Sequence, residues 1–250
     1  MNPRIVLAIE SSCDDCAVAI LDGQGQILAD CVYSQIEEHA KWGGIVPEVA
    51  SRKHLDKIEE LCKQAFEIAG IKANQVEAVA VTNRPGLIGS LLVGVQFAKG
   101  FAQGLGIPIL GVHHIEGHLM AGLGEPDFPK PPFVGLIASG GHSALYYCNE
   151  QYEIKLLGQT RDDAAGEAFD KIGRMMGLSY PAGKEIDNLA QGGDENRFEF
   201  PIAFEKTKTL EYSFSGLKTA AKRMLEMNQH NSHPGLDPGS SNFAGSRLGG

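Results

Sequence analysis

The strongest constraint on the fold is the order of segments, a meander and then strand–helix alternation, of which a faint echo follows later in the chain. Three short apolar runs come first, residues 5–10, 17–21 and 26–34, separated by a small polar turn at 11–15 and by Asp22-Gly-Gln-Gly25. Runs of this length between Gly/Asp turns read as a β-meander. The period then changes. Leu55, Ile58, Leu61, Cys62, Ala65, Phe66 and Ala69 recur at helical spacing, and Gly70 is placed to close that helix. The stretch 42–52 before it, punctuated by Gly43, Gly44 and Pro47, reads as a loop. Residues 76–82 form a strand, 83–90 a turn, and 91–105 a helix apolar on nearly every side and therefore expected to be buried. Residues 107–112 form a further strand. A meander followed by strand–helix alternation predicts an α/β layer with a mixed sheet.

A proline-rich connector, 125–132, separates this first lobe (1–125) from a restart of the same pattern. Strands are expected at 133–138, 144–148 and 152–157, with Gly140-Gly141 as the first turn. Helices follow at 162–177, with acidic residues at its start, at 184–191, and at 212–226, which looks serine-capped. These make a partial second lobe over 133–227. From Asn228 to Gly250 the chain is rich in Gly, Ser, Asn and Pro with no apolar period, and a disordered tail is expected.

A chain of 250 residues, 43% hydrophobic, can bury a sizeable core. Its net charge of −9 argues against binding nucleic acid by bulk charge, while leaving room for a local basic patch. The first ten residues run straight into a strand without a long apolar stretch, and no membrane span is visible, so a cytoplasmic protein is expected. The five cysteines are odd in number and scattered. Cys13-Asp-Asp-Cys16 lacks a second pair and follows a strand, so reduced thiols are expected rather than a zinc or redox site.

The chemistry gathers on Val112-His-His-Ile-Glu-Gly-His-Leu-Met120. In a helix His114 and His118 lie one above the other, close enough for two ring nitrogens to grip one ion. The plainer reading is a pair of surface histidines. Glu116 sits between them and would lean to the far side of the helix, which makes a zinc-peptidase base a poor fit. Two histidines also leave a ligand set incomplete. Three small-residue turns follow apolar strands, at 11–15, 84–90 and 138–143, and such turns expose backbone amides to a phosphate. Each alone reads as a plain turn; together they suggest a nucleotide cleft between lobes. Asp170 and Asp187 are either ribose-hydroxyl acceptors or solvated helix carboxylates. Ser213, Ser215 and Lys218 either cap a helix or face a phosphate.

Seven motifs then occur in order. They are Ile9-Glu-Ser-Ser-Cys-Asp-Asp15, Gly43-Gly-Ile-Val-Pro-Glu-Val-Ala-Ser-Arg52, Pro85-Gly-Leu-Ile-Gly-Ser-Leu-Leu-Val-Gly94 and His113-His-Ile-Glu-Gly-His118, followed by Ser139-Gly-Gly-His142, Asp162-Asp-Ala-Ala-Gly-Glu-Ala-Phe-Asp-Lys171 and Phe214-Ser-Gly-Leu-Lys-Thr219. From about Ile5 to about Leu225 the chain strongly resembles the tRNA adenosine threonylcarbamoyltransferases, a family formerly labelled O-sialoglycoprotein endopeptidases. The resemblance implies an actin/hexokinase/Hsp70-like α/β fold of two lobes, the second incomplete here. It implies transfer of threonylcarbamoyl from threonylcarbamoyl-AMP to N6 of the adenosine at tRNA position 37, beside the anticodon, in tRNAs that read codons beginning with adenine. It further implies one divalent metal ion, Fe2+ ahead of Zn2+, on His114 and His118. The adenylate would lie on Ile137, Ala138, Ser139, Gly140, Gly141, Asp170, Gly183 and Asp187, with Asp14 implicated in catalysis. The implied partners are tRNA and companion subunits (an inactive paralogue and a P-loop ATPase in bacteria) or a second copy in a homodimer.

The chain departs from the family pattern at Arg84, where glycine is usual, and at Asp15, where glutamate is common. The family pattern also continues past this sequence, through a substrate asparagine and an aspartate that is the third metal ligand. A truncated product is therefore expected. The alternative to an active transferase is a catalytically inactive remnant or interaction module of the same family.

Overall fold

The computed structural model describes residues 5–123 and 125–231. Its first half is a five-stranded sheet in the order β3-β2-β1-β4-β5, built from β1 (Val6–Glu10), β2 (Asp15–Leu21), β3 (Ile27–Ser34), β4 (Ala78–Arg84) and β5 (Ile109–His113). The meander β1-β2-β3 is antiparallel, whereas β4 and β5 run parallel to β1. This is the mixed sheet that the segment order predicts. Alternation decides its faces. Leu7 and Ile9, Cys16, Val18 and Ile20, and Val79 and Val81 all point to one buried side. Each such side chain contributes about 1.5–3 kcal/mol by leaving water.

Two helices cover that side. Helix α2 (Pro47–Ala69) lays Ala50, His54, Ile58, Leu61, Cys62 and Ala65 on the core at helical spacing and ends at Gly70, whose φ of 65° is the left-handed cap that glycine adopts freely. It begins eight residues before the apolar period is visible, and a short helix α1 (Ile36–Ala40) precedes it. The expected loop at 42–52 is thus half helix. Pro47 occupies the first helical position, where its fixed φ and missing N–H favour helix initiation. Helix α3 (Ile88–Leu105) also departs from expectation. It is buried only along Ser90, Gly94, Ala98 and Ala102, while Ile88 and Leu92 are exposed. A four-residue period of small side chains brings its backbone close to the sheet, and Val93, Val95, Phe97 and Phe101 are partly buried against the same core.

Helix α4 (His114–Met120) follows β5 directly. Its Ile115 and Leu119 are buried, and Leu119 rests where a side chain on Gly135 would stand, so this glycine lets α4 lie against β6. The second sheet, order β6-β7-β8, is antiparallel throughout: β6 (Phe133–Ala138), β7 (Ser143–Cys148) and β8 (Ile154–Gln159). Helices α5 (Ala165–Met176), α6 (Gly183–Ala190) and α7 (Ser215–Asn231) complete the described chain.

Asp162 and Asp163 lie before α5 rather than in its first turn, and they tie it to α7. Asp162 accepts from the Phe214 amide at 2.8 Å and from the Ser213 hydroxyl, and Asp163 pairs with Lys171 at 3.0 Å and with Lys218. Lys218 therefore pairs with a carboxylate while also lining a cavity with Lys171, Arg174, Ser215 and Lys222. Helix α7 continues through residues 228–231, since extending a formed helix costs less than starting one. The rest of the expected disordered tail lies outside the described residues. Among the described residues no helix is long and apolar enough to cross a membrane.

Candidate metal and adenylate site

The parallel strands β1, β4 and β5 end at one edge of the first sheet, and each delivers a polar group there. From β1 come Glu10 and, in the next turn, Ser12; from β4 comes Thr82; from β5 the chain passes into His114. The register of β4 and β5 shifts between Thr82 and Arg84, an irregularity in the pairing just before the histidine helix begins. Crevices beyond the carboxyl ends of parallel strands are where α/β sheets bind ligands.

The first two candidate turns meet directly. The Leu87 amide donates to the Ser12 carbonyl at 2.8 Å, and a Cβ on Gly86 would stand 2.5 Å from that oxygen, so only glycine fits the approach. Ser11, fully buried, donates to the Ser90 carbonyl at 2.9 Å. The third turn arrives from the second sheet. Ser139 and His142 close it by reciprocal backbone and side-chain bonds, and Gly166 of α5 donates to the Ser139 carbonyl at 3.0 Å. A Cβ on Gly166 would lie 2.8–2.9 Å from Gly140 and Ser139 backbone atoms, so α5 is seated against this turn. Its His142 ring centroid lies 6.0 Å from that of His114.

His114 and His118 do share a helix face. Their Nε2 atoms are 3.0 Å apart, close to the ~3.3 Å separating two nitrogens on one tetrahedral ion. The other nitrogen of His114, Nδ1, lies 3.0 Å from Ser12 Oγ and 3.2 Å from Glu10 Oε2. Burial, followed by the neighbouring His114 ring, pushes His118 below its ordinary pKa, and the same pair of causes lowers His142. Neutral imidazoles present the lone pairs that ligate metal. Burial pushes Glu10 upward, but hydrogen bonds from His114, Ser12 and Thr82 outweigh it and hold the carboxyl down at about 2. Glu116 is exposed on the far side of α4, away from the pair. Among the described residues no set of three or more His, Cys, Asp or Glu side chains closes on a metal-sized space, so the donors present are the two histidines.

The expected adenylate residues form one neighbourhood around α5. Ile137 and Ala138 end β6, Ser139, Gly140 and Gly141 form the turn on which α5 sits, and Asp170 lies one helical turn beyond Gly166. Asp170 Oδ1 accepts from the Ala182 amide at 2.8 Å and so fixes the start of α6, where Gly183 is the first residue. Asp187 is exposed further along α6. A cavity of about 340 Å³ opens between Ala40 and Gly43 of the first half and Asp170, Arg174 and Tyr180 of the second. The Arg174 guanidinium donates to the Gly43 carbonyl across it. Burial, then the charges of Asp14 and Asp170, push the Tyr180 hydroxyl upward. Asp14 itself is half-buried and hydrogen-bonded by the Cys13 thiol. All five cysteines are free, and burial, then the Asp14 charge, pushes the Cys13 thiol up to about 12.

Sequence reasoning missed Glu10, Thr82 and His142 as members of this site. The first two belong to strand ends and read locally as strand residues.

The fold defines the class: an α/β protein of two sheets with a cluster of polar side chains at the carboxyl ends of β1, β4 and β5. The family model described as tRNA N6-adenosine threonylcarbamoyltransferase matches residues 26–244, which carries the match past the last shared motif, and the chain belongs to that family. Relatives of that name include proteins of Clostridium perfringens, 47% identical over 225 residues (90% of this chain, 66% of the relative), and of Thermosipho africanus, 50% identical over 216 residues (86% and 65%). The chain spans about two thirds of the length of such relatives. Among solved structures it is similar to YeaZ from Pseudomonas aeruginosa (19% identity, TM-score 0.43, covering 61% of this chain and 64% of that one). It is also similar to component A of the (R)-2-hydroxyglutaryl-CoA dehydratase of Acidaminococcus fermentans (11%, 0.46, 94% and 70%).

Proposed function

We propose that this chain performs the acyl transfer for which its family is named, carrying threonylcarbamoyl from threonylcarbamoyl-AMP to N6 of adenosine 37 in tRNAs that read codons beginning with adenine. The observation that carries the reading is the convergence of Glu10, Ser12, Thr82, His114, His118 and His142 at one sheet edge beside the Ser139–Gly141 turn. His114 and His118 would hold one iron or zinc ion, which when bound offsets negative charge on the acyl oxygen. The exposed glycines of the turn admit a phosphate to the backbone, and the free edge of Asp170 with Asp187 offers acceptors for ribose hydroxyls. In the transfer N6 forms the new bond to the carbamoyl carbon, the bond from that carbon to the phosphate oxygen breaks, and AMP leaves. Asp14 is the proposed acceptor of the proton released from N6. Companion subunits or a second copy of the chain are further parts of this reading, as is a cytoplasmic location.

The test is transfer of labelled threonylcarbamoyl into a tRNA transcript by the purified chain with Fe2+ or Zn2+ and with companion subunits supplied. Asp14→Asn and the double variant His114→Ala/His118→Ala should each lower the rate by at least 100-fold. Transfer at the normal rate by the double variant would remove the metal from the reading. A second reading, an inactive interaction module, is favoured by the two-histidine donor set among the described residues. It predicts that metal is lost on dialysis, whereas a complete site retains about one ion per chain.

A further inference from the structure

The sheet edge contains a carboxylate that no part of the proposed transfer uses. Glu10 ends β1, is separated from His114 by 104 positions, and is held at both oxygens. Oε1 accepts from the Ser12 amide at 2.5 Å, and Oε2 accepts from the Thr82 hydroxyl at 2.5 Å. Two donors thus fix this side chain before it meets the ring. Its Oε2 then lies 3.2 Å from Nδ1 of His114.

We infer that Glu10 is a positioning residue: its carboxylate holds the proton of His114 on Nδ1 and so aims the Nε2 lone pair at the point it shares with His118. The inference rests on the metal reading of the histidine pair and adds a residue to it. Each Glu10 oxygen already accepts a hydrogen bond, an arrangement suited to a carboxylate, which accepts and does not donate. An Nδ1 lone pair placed 3.2 Å from it would meet charge repulsion, so Nδ1 carries the hydrogen and donates. Ser12 Oγ, 3.0 Å from the same nitrogen, is free to act as a second acceptor. With the proton on Nδ1, Nε2 is bare and faces His118 Nε2 at 3.0 Å. Glu10 is not itself a ligand to that point, because the two nitrogens of an imidazole point away from each other and Glu10 is on the Nδ1 side. Nor is it a general packing residue. Its hydrogen-bond partners are all polar groups held in place, and its contact to the ring is the one arrangement that selects a tautomer. Carboxylates that hold ligand histidines in this way typically alter metal affinity by 10–100-fold when removed.

The experiment uses the full chain with cobalt(II) as the probe and two readouts. Cobalt affinity is followed by visible absorption, and the protonated nitrogen of each histidine in the metal-free chain is identified from 15N chemical shifts. The wild-type chain should show His114 protonated at Nδ1. Glu10→Ala should bind cobalt 10–100-fold more weakly and lose that tautomer preference. Thr82→Val, which touches Glu10 but not the ring, should weaken binding several-fold. Glu10→Gln, whose side-chain carbonyl still accepts from Nδ1–H, should recover part of the affinity, and it stands in for Glu10→Ala if that variant does not fold. Unchanged cobalt affinity in a folded Glu10→Ala chain, or a wild-type His114 protonated at Nε2, overturns the inference. A wild-type chain that shows the Nδ1 tautomer yet takes up no cobalt sinks the metal reading of the pair while upholding Glu10's hold on the ring.

Discussion

Helix α3 contains glycines in two opposite situations, and alanine at each should move stability in opposite directions. Gly94 faces the sheet, where an added Cβ would stand 3.1 Å from Ser11 Cβ and closer still to Ser11 Oγ. Gly100 and Gly104 face open space. At every helix-interior site, replacing glycine with alanine gains about 1 kcal/mol of helix propensity. At Gly100 nothing opposes that gain. At Gly94 ordinary carbon contacts of ~3.5–4.0 Å are violated against a fully buried residue, which costs about 1–3 kcal/mol. Ser11 must also turn away from the Ser90 carbonyl it now bonds, losing about 1 kcal/mol more. The net expectation is a loss of about 1–3 kcal/mol for Gly94→Ala and a gain of up to ~1 kcal/mol for Gly100→Ala. For a domain of this size each kcal/mol moves the melting midpoint by about 2–4 °C. Thermal melts of both variants beside wild type should therefore separate them by several degrees, with wild type between. A Gly94→Ala chain melting at or above Gly100→Ala would refute the claim that α3 seats on the Ser11 turn through this glycine. Because that turn carries Ser12 and Asp14, Gly94→Ala should also weaken metal retention.

The acid limb of stability offers another check. Burial raises the Asp162 carboxyl, but bonds from Ser213, Phe214 and Ser215 outweigh it and hold it at about 2, below its ordinary 3.8. A folded value below the unfolded one means the contribution is present above about pH 4 and is lost as pH falls toward 2. Melts between pH 5 and 2.5 should thus fall less steeply for Asp162→Asn than for wild type; parallel slopes would dismiss this contact between α5 and α7. Cys13, pushed up to about 12 by burial and Asp14, should react with a thiol reagent at pH 8 at least tenfold more slowly than free cysteine, and Asp14→Asn should speed it. Reaction at the free-cysteine rate would show that this thiol is not held protonated.

Much of this protein was legible before its structure. Apolar periodicity located every strand of both sheets to within two residues, because alternation reports directly which side chains leave water. The spacing of His114 and His118 already placed both rings on one helix face, since that depends only on helix geometry. Helix starts were less legible. Pro47 read as a loop residue but begins α2, because a proline suits a loop and a first helical turn equally well, and residues further along the chain select between them.

Contacts between elements were legible only in three dimensions. Nothing local marks Glu10 as the partner of His114, or Lys218 as the partner of Asp163, because strand order and helix docking bring them together. The apolar surface of α3 suggested burial on nearly every side, whereas only its small-residue stripe is fully buried and Ile88 and Leu92 are exposed. A sequence states which side of a segment avoids water; which other segment supplies the cover depends on how the chain crosses over itself. For the same reason the histidine pair was visible from its spacing, but the Glu10 carboxylate that meets His114 Nδ1 at 3.2 Å comes from β1, which only the fold brings beside α4.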